Sequence, residues 1–337
     1  MLVLMLLSRF ARVATKLNRF IKLFFVQVED TELLESSPDG SEELKVKILE
    51  APKVGQDIRP TGSDLQKGEV VVGKNTKIGP AQIGALASAG LDMVKFYAAP
   101  NVAVFSTGNE IHEVGSQPGP GVIFDSNRPT LIALLKQQGY FVTDQGIVKD
   151  EPNDIEGILM KSFESSNVVI STGGVSMGEK DYLKHILLKI GAKIHFGRVN
   201  MKPGKPTTFA TYVHEGSKKL IFALPGNPVS ATVSCYLFAL PALRALAGFS
   251  SNASRELTVS IAEKIVLDTR PEYCRAMLEQ GKVPSSNFPV AHLTGNQISS
   301  RLLSLQSGSV LLELPGKTSD RSVLEKGDLV KALLIDY

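Results

Sequence analysis

Ser171-Thr172-Gly173-Gly174-Val175-Ser176-Met177-Gly178-Glu179-Lys180-Asp181 is the segment whose residue types and order bear most directly on chemistry. It follows the apolar run Val168–Ser171 and precedes a helix-like stretch, so its backbone N–H groups and a helix N-terminus could cradle an anion. It narrowly misses a P-loop: Gly173 and Gly178 fit, but Glu179 stands where that motif needs lysine. An acid there repels a nucleotide phosphate unless a magnesium ion lies between them. Asp181 could hold such a metal or act as a base. The competing reading is plain helix capping by acids.

Four further loops carry compatible groups. Met201-Lys202-Pro203-Gly204-Lys205-Pro206 sets two lysines three apart on a stretch that prolines stiffen and glycine turns, which suits an oxyanion. Without that rigidity, two turn lysines are ordinarily just solvated. Leu224-Pro225-Gly226-Asn227-Pro228-Val229-Ser230 runs from a strand into a helix with Pro228 in its first turn. It lacks the serine between flanking glycines of a nucleophile elbow, so it reads as a cradle for substrate. Ser106-Thr107-Gly108-Asn109-Glu110 and Asp125-Ser126-Asn127-Arg128 add acids and amides at two more loops. Each alone could be a cap. Together the five loops imply one large site for an anion and a metal.

The elements that must position these loops are legible between Asn101 and Gly248. Short apolar runs at Val102–Ser106, Val168–Ser171 and Leu220–Leu224 alternate with candidate helices at Arg128–Gln138, Asp154–Glu164, Asp181–Ile190 and Val229–Leu246. That pattern implies an α/β fold with a doubly wound, mostly parallel sheet, whose ligands bind beyond the carboxyl ends of the strands. After Gly248 helical periodicity fades, and alternation at Leu257–Ile261 and Asp328–Leu333 indicates a small C-terminal β domain. Before residue 99, alternating segments at Val26–Glu29 and Leu44–Ile48, a polar loop through Gly62-Ser63-Asp64 and a helix from Pro80 to Gly90 read as partial small domains. The expected organisation is 1–25 unassigned, 26–98 partial N-terminal small domains, 99–248 the α/β domain and 249–337 the β domain.

Composition narrows the class. With 43% hydrophobic and 21% charged residues, the chain has a globular balance, and a net charge of +3 gives no reason to invoke nucleic acid. Cys235 and Cys274 lack metal or CxxC spacing, and Cys235 sits in an apolar helix-like run as a core thiol would. No acid precedes Glu29, and Arg9, Arg12, Lys16 and Arg19 recur at helical spacing, the pattern of a mitochondrial transit peptide or of a divergent start with no role. The seven apolar residues that open the chain are too few to span a bilayer, so no membrane span is expected and the protein is read as cytoplasmic.

STGNE, DSNR, STGGVSMGEKDY, MKPGKPTTFA and LPGNPVSA, in this order, resemble the molybdopterin molybdenumtransferases, particularly the E domain of gephyrin-like proteins. The tail segments Arg270-Pro271-Glu272-Tyr273 and Thr294–Arg301 are similar to that family's C-terminal β domain, and VQVEDTE and GQDIRPTGSD match upstream. The resemblance implies magnesium-dependent hydrolysis of adenylylated molybdopterin, insertion of molybdate and release of AMP. It assigns acidic active-site roles to Asp64, Glu110 and Asp181, with Glu110 and Asp181 on the metal, and oxyanion contacts to Lys202, Lys205, Pro206, Arg270 and Ser300. Molybdopterin contacts fall on Thr107, Gly108, Asp125, Ser126, Asn127, Thr172, Gly173, Gly174, Ser176, Gly178, Pro225, Gly226, Asn227 and Ser230. It further implies a homodimer, with the adenylyltransferase domain supplied by another chain.

The family's upstream Asp-Gly-Tyr-Ala stretch has no counterpart in residues 1–25, so a truncated protein that binds molybdopterin but turns over poorly is an alternative expectation. A receptor or cytoskeletal scaffold is another. Gly316 and Arg321 stand where that role would call for proline and tyrosine.

Overall fold

The computed structural model describes residues 11–335 apart from 13–14, 18–19, 23–24, 57–58, 118, 176–181, 251–254 and 280–286. The chain forms two units, one of residues 1–73 and 78–92, the other of 74–77 and 93–337.

In the first unit the backbone at Arg12 and Lys16 is extended, in short antiparallel pairings of Ala11–Arg12 with Phe25–Val26 and of Thr15–Leu17 with Phe20–Lys22. Arg12 and Lys16 are thus extended where a helical face was expected, and Arg9 and Arg19 lie outside the described residues. Strand Phe25–Val26 gives way to a 3-10 turn at Val28–Asp30, not to the continuous strand the alternation suggested. Strands β1 (Thr31–Ser36) and β2 (Glu43–Ile48) form an antiparallel hairpin, across which Lys47 Nζ meets Glu32 at 3.0 Å. Helix α1 (Pro80–Ser88) begins at its proline, and Gln82 Oε1 accepts the Gly79 N–H at 3.1 Å. Among the described residues of this unit, Val26 and Leu86 are the only buried apolar side chains.

The second unit is built on β3 (Val102–Thr107), whose six residues are all buried. Alternate side chains serve opposite faces: Val102 and Val104 enter one apolar cluster, Ala103 and Phe105 another. After β3 come the two-residue strands β4 (Ile111–His112) and β5 (Ile123–Phe124), then α2 (Asn127–Gln137) and β6 (Val142–Val148). Next are α3 (Pro152–Ser165), β7 (Val168–Thr172), α4 (Tyr182–Lys189) and β8 (Lys193–Phe196). Strands β9 (Thr208–His214) and β10 (Ser217–Leu224) lead into α5 (Pro228–Ser234) and α6 (Leu240–Leu246). The sheet order is β6-β3-β7-β10-β9-β8, with the first three pairings parallel and the last two antiparallel.

Helices α5 and α6 are joined by a π turn at Cys235–Ala239. Pro241, which has no N–H to give, lies in the turn that follows. Pro228–Leu246 is thereby one run long and apolar enough to cross a membrane. Here it is mostly buried, with Val229, Tyr236, Leu240 and Leu243 packed in the same core as Leu305, Leu311 and Leu333 of the tail.

That tail contains β11 (Glu256–Ile261), β12 (Ile265–Val266), β13 (Glu272–Leu278), β14 (Val290–Leu293), α7 (Leu303–Gln306), β15 (Val310–Leu314), β16 (Val323–Leu324) and β17 (Leu329–Leu334). Five of its strands close a barrel in the order β11-β14-β13-β15-β17 around a third apolar cluster.

Candidate active site

Strands β3, β7 and β10 run parallel and end together, so the loops after Thr107, Thr172 and Leu224 meet at one edge of the sheet. There they line a cavity of ≈ 710 Å³ with Thr107, Glu110, Asp125, Ser126, Asn127, Asp150, Thr172, Gly173, Gly174, Pro225, Gly226 and Asn227. Asn127 ties three of the loops together. Its Nδ2 donates to Thr172 Oγ1 and to the Gly226 carbonyl, each at 2.7 Å, while Thr172 Oγ1 donates to the Pro225 carbonyl at 3.0 Å. Gly173 has φ +91°, and a Cβ there would lie 2.1 Å from the Thr107 carbonyl oxygen. Only glycine lets the β7 loop approach β3 so closely.

The three acids of this cavity are not equivalent. Asp125 is buried, accepts the N–H groups of Asn127 and Arg128 at 3.1 Å each, and receives Arg128 Nε at 3.0 Å. It serves as the cap of α2, and its charge is answered. Arg128 also reaches Asp144 and Glu113. Burial works against its charge, yet the bonds to Asp144 and Asp125 hold the guanidinium above its ordinary range. Asp150 takes the Thr107 hydroxyl at 2.5 Å, and Asn109 Oδ1 accepts the Asp150 N–H at 3.2 Å. Glu110 and Asp150 are therefore the acids of this cavity without a cationic partner among the described residues. The sequence reading missed Asp150 because it follows β6, a strand broken by Asp144 and Gly146 that apolar periodicity does not reveal.

A second cavity of ≈ 480 Å³ is lined by Lys202, Lys205, Pro206, Asn227, Ser230, Arg270 and Ser299, together with Asn296, Gln297 and Ile298. Pro206 and Asn227 line both cavities. The lysine loop is held from both sides. Lys202 N–H donates to the Pro271 carbonyl at 2.9 Å, and Tyr273 N–H to the Lys202 carbonyl at 2.7 Å. Gly204 has φ +106°, and Thr207 Oγ1 donates to its carbonyl at 2.7 Å. Lys202 Nζ lies 3.2 Å from both Asp268 and Glu272. Burial disfavours its charge, but Glu272 and then Asp268 outweigh that and keep it above the ordinary lysine range. Lys205 is exposed and has no ion pair among the described residues.

Of the remaining expected site residues, Ser230 lines the smaller cavity and Ser300 the larger, where Val229 N–H fastens its loop through the Ser299 carbonyl at 3.0 Å. Gly108 lines neither and donates its N–H to the Val148 carbonyl at 3.3 Å. Asp64 belongs to the first unit, on an exposed loop where Arg59 meets it at 2.9 Å. Ser176, Gly178 and Asp181 lie outside the described residues. Among the described residues no group of three or more His, Cys, Asp or Glu could hold a metal.

The strand-end loops of a doubly wound domain thus form an acid-lined cavity, and it adjoins a cationic one completed by loops of the β barrel. Residues 103–245 match the family described as a probable molybdopterin binding domain, and residues 24–90 match the MoeA N-terminal region, domains I and II. The molybdenum cofactor synthesis protein cinnamon of Drosophila melanogaster is 40% identical over 93% of this chain and 50% of its own length. Gephyrin of Dictyostelium discoideum is 39% identical over 92% of this chain and 46% of its own. The solved molybdopterin biosynthesis MoeA protein of Pyrococcus horikoshii superposes with a TM-score of 0.69 at 25% identity, over 92% of this chain and 71% of that one. The chain therefore carries two domains of the MoeA type, the probable molybdopterin binding domain and the MoeA N-terminal region. It spans about half the length of the curated relatives it matches.

Proposed function

We propose that this chain inserts molybdenum into molybdopterin, taking an adenylylated molybdopterin made by another chain together with molybdate, and releasing AMP. The observation that carries this is the pair of adjoining cavities that share Pro206 and Asn227, one lined by acids and glycine-rich loops, the other by lysines and arginine. A substrate with a phosphate group and a metal-accepting dithiolene needs both environments side by side. In the larger cavity the Gly173-Gly174 loop offers room for phosphate oxygens close to backbone. In the smaller one Lys205, Lys202 and Arg270 supply the positive charge an oxyanion requires.

Magnesium suits the larger cavity because Glu110 and Asp150 are its carboxylates without a cationic partner among the described residues, and Mg²⁺ takes one or two carboxylates plus phosphate oxygens. When bound, it would neutralise phosphate charge. Glu110 and Asp150 would hold it, and whichever carboxylate oxygen stays free can take a proton from the attacking water. Water adds to the adenylate phosphorus, the phosphoanhydride bond breaks and AMP leaves. Molybdate then exchanges one oxygen for the two dithiolene sulfurs, and that oxygen departs as water with the two thiol protons.

The test is to give the purified chain adenylylated molybdopterin, molybdate and Mg²⁺ and to follow AMP and sulfur-bound molybdenum. Both should appear, and Glu110→Gln should suppress AMP release at least a hundredfold. Absence of AMP release in the wild type, or release indifferent to both chelation and Glu110→Gln, would defeat the reading.

A further inference from the structure

The three cations of the smaller cavity stand in different relations to the fold. Lys205 is unpaired among the described residues, whereas Lys202 and Arg270 converge on one carboxylate, that of Asp268. Arg270 Nε and the Arg270 backbone N–H donate to Asp268 Oδ1 at 3.1 and 3.0 Å. Arg270 Nη2 lies 3.4 Å and Lys202 Nζ 3.2 Å from Oδ2. Asp268 itself does not line the cavity.

Its backbone is braced. Lys317 N–H donates to the Asp268 carbonyl at 2.7 Å, and Leu267 N–H to that of Ser322 at 3.0 Å, beside the β12–β16 pairing. Gly316 backs the same loop so closely that a Cβ there would lie 3.0 Å from the Thr269 carbonyl oxygen and 3.3 Å from the Arg270 carbonyl carbon. Lys202 is tethered across the gap by its own backbone bonds to Pro271 and Tyr273. A fixed carboxylate between two long cationic side chains removes the rotamer freedom they would otherwise lose on meeting an anion.

We propose that Asp268 is a positioning residue: it touches no substrate, and it holds Lys202 and Arg270 at the wall of the smaller cavity so that an oxyanion meets both together with Lys205. This rests on the reading that the smaller cavity takes molybdate. Two effects of Asp268 oppose each other. Its negative charge beside an anion site weakens binding by Coulomb repulsion, while its orientation of two donors strengthens it. Charge alone predicts that Asp268→Asn binds oxyanion more tightly, and positioning predicts the reverse.

The experiment is calorimetric titration of the full chain with molybdate, for the wild type, Asp268→Asn and Asp268→Glu. Asp268→Asn should weaken molybdate binding at least tenfold and raise the KM for molybdate, with kcat at saturating molybdate and molybdopterin affinity unchanged. Asp268→Glu, which keeps the charge one methylene further out, should recover part of the loss. Arg270→Lys cannot hold two carboxylate oxygens at once, so it should reproduce the loss if Asp268→Asn does not fold. Unchanged or tighter binding by Asp268→Asn overturns the proposal. If Lys205→Ala leaves the wild-type isotherm unaltered, the oxyanion reading of the cavity falls, and this proposal with it.

Discussion

Arg128 Nε donates to Asp125 Oδ2 at 3.0 Å from the first turn of α2, and both residues are buried. The pair takes Asp125 out of the cavity's charge balance and leaves Glu110 and Asp150 as its acids without a cationic partner among the described residues.

Replacing Arg128 with methionine keeps the volume but strips a buried carboxylate of its cation. The cost should be about 3–5 kcal/mol, the range for breaking a buried pair from one side. Urea unfolding of both proteins gives the difference. A loss below roughly 1 kcal/mol would mean that the α2 N–H groups alone satisfy Asp125.

Gly173→Ala meets both a left-handed φ and a Thr107 carbonyl oxygen 2.1 Å from the new Cβ. The loop must move away from β3, so molybdopterin binding should fall at least tenfold. Stability should fall by roughly 1–3 kcal/mol. Gly216→Ala, also at positive φ but with nothing within 4 Å of its Cβ, is the control for backbone strain alone. Equal effects at the two positions would assign the whole cost to φ and none to the approach.

The core of the sheet could be read in the sequence because β3, β7 and β10 are buried on both faces and appear as continuous apolar runs. β6 and β9 carry Asp144, Gly146, Thr208 and Thr211 and lie nearer the margins, where half-exposed strands tolerate polar residues. Their omission hid Asp150, which enters the site from the end of β6. In the tail, alternation showed β11 and β17, but β13 mixes Glu272, Arg275 and Cys274 in a largely buried strand. Arg275 is fully buried, with its Nε on Ser304 Oγ at 3.1 Å, an arrangement no periodicity announces. The loop motifs were legible as types. That Lys202 is bound to two acids and Lys205, among the described residues, to none depends on contacts between residues some 70 apart.

Those contacts separate the two lysines experimentally. Lys205→Ala should weaken molybdate binding at least tenfold and leave stability within about 0.5 kcal/mol, as for an exposed surface change. Lys202→Ala should also destabilise the fold by roughly 1–3 kcal/mol, because buried Glu272 loses its partner. The figure is below that for a fully buried pair because Lys202 remains 35% exposed. Identical stability of the two variants would show that the Lys202–Glu272 contact adds nothing to the fold.

The two thiols give a prediction in alkali. Cys235 and Cys274 are both buried. Burial pushes the Cys235 thiol up to about 12, and burial followed by the nearby Glu272 pushes Cys274 upward as well. A folded-state pKa above the unfolded value of about 8.5 means the neutral thiol is favoured in the fold. That contribution is complete below pH 8.5 and is lost as pH rises, because the unfolded chain then gains by ionising. The loss approaches about 1.4 kcal/mol per thiol for each further pH unit until the folded pKa is reached. Urea midpoints between pH 7 and 10 should therefore fall less steeply for Cys235→Ala than for the wild type, with the two slopes equal below pH 8. Aromatic disulfide reagents at pH 8 should label neither cysteine in the folded chain and both after unfolding. Rapid labelling of Cys235 in the folded protein would show that the α5–α6 core opens to solvent far more often than its burial implies, and rapid labelling of Cys274 would show the same of the barrel.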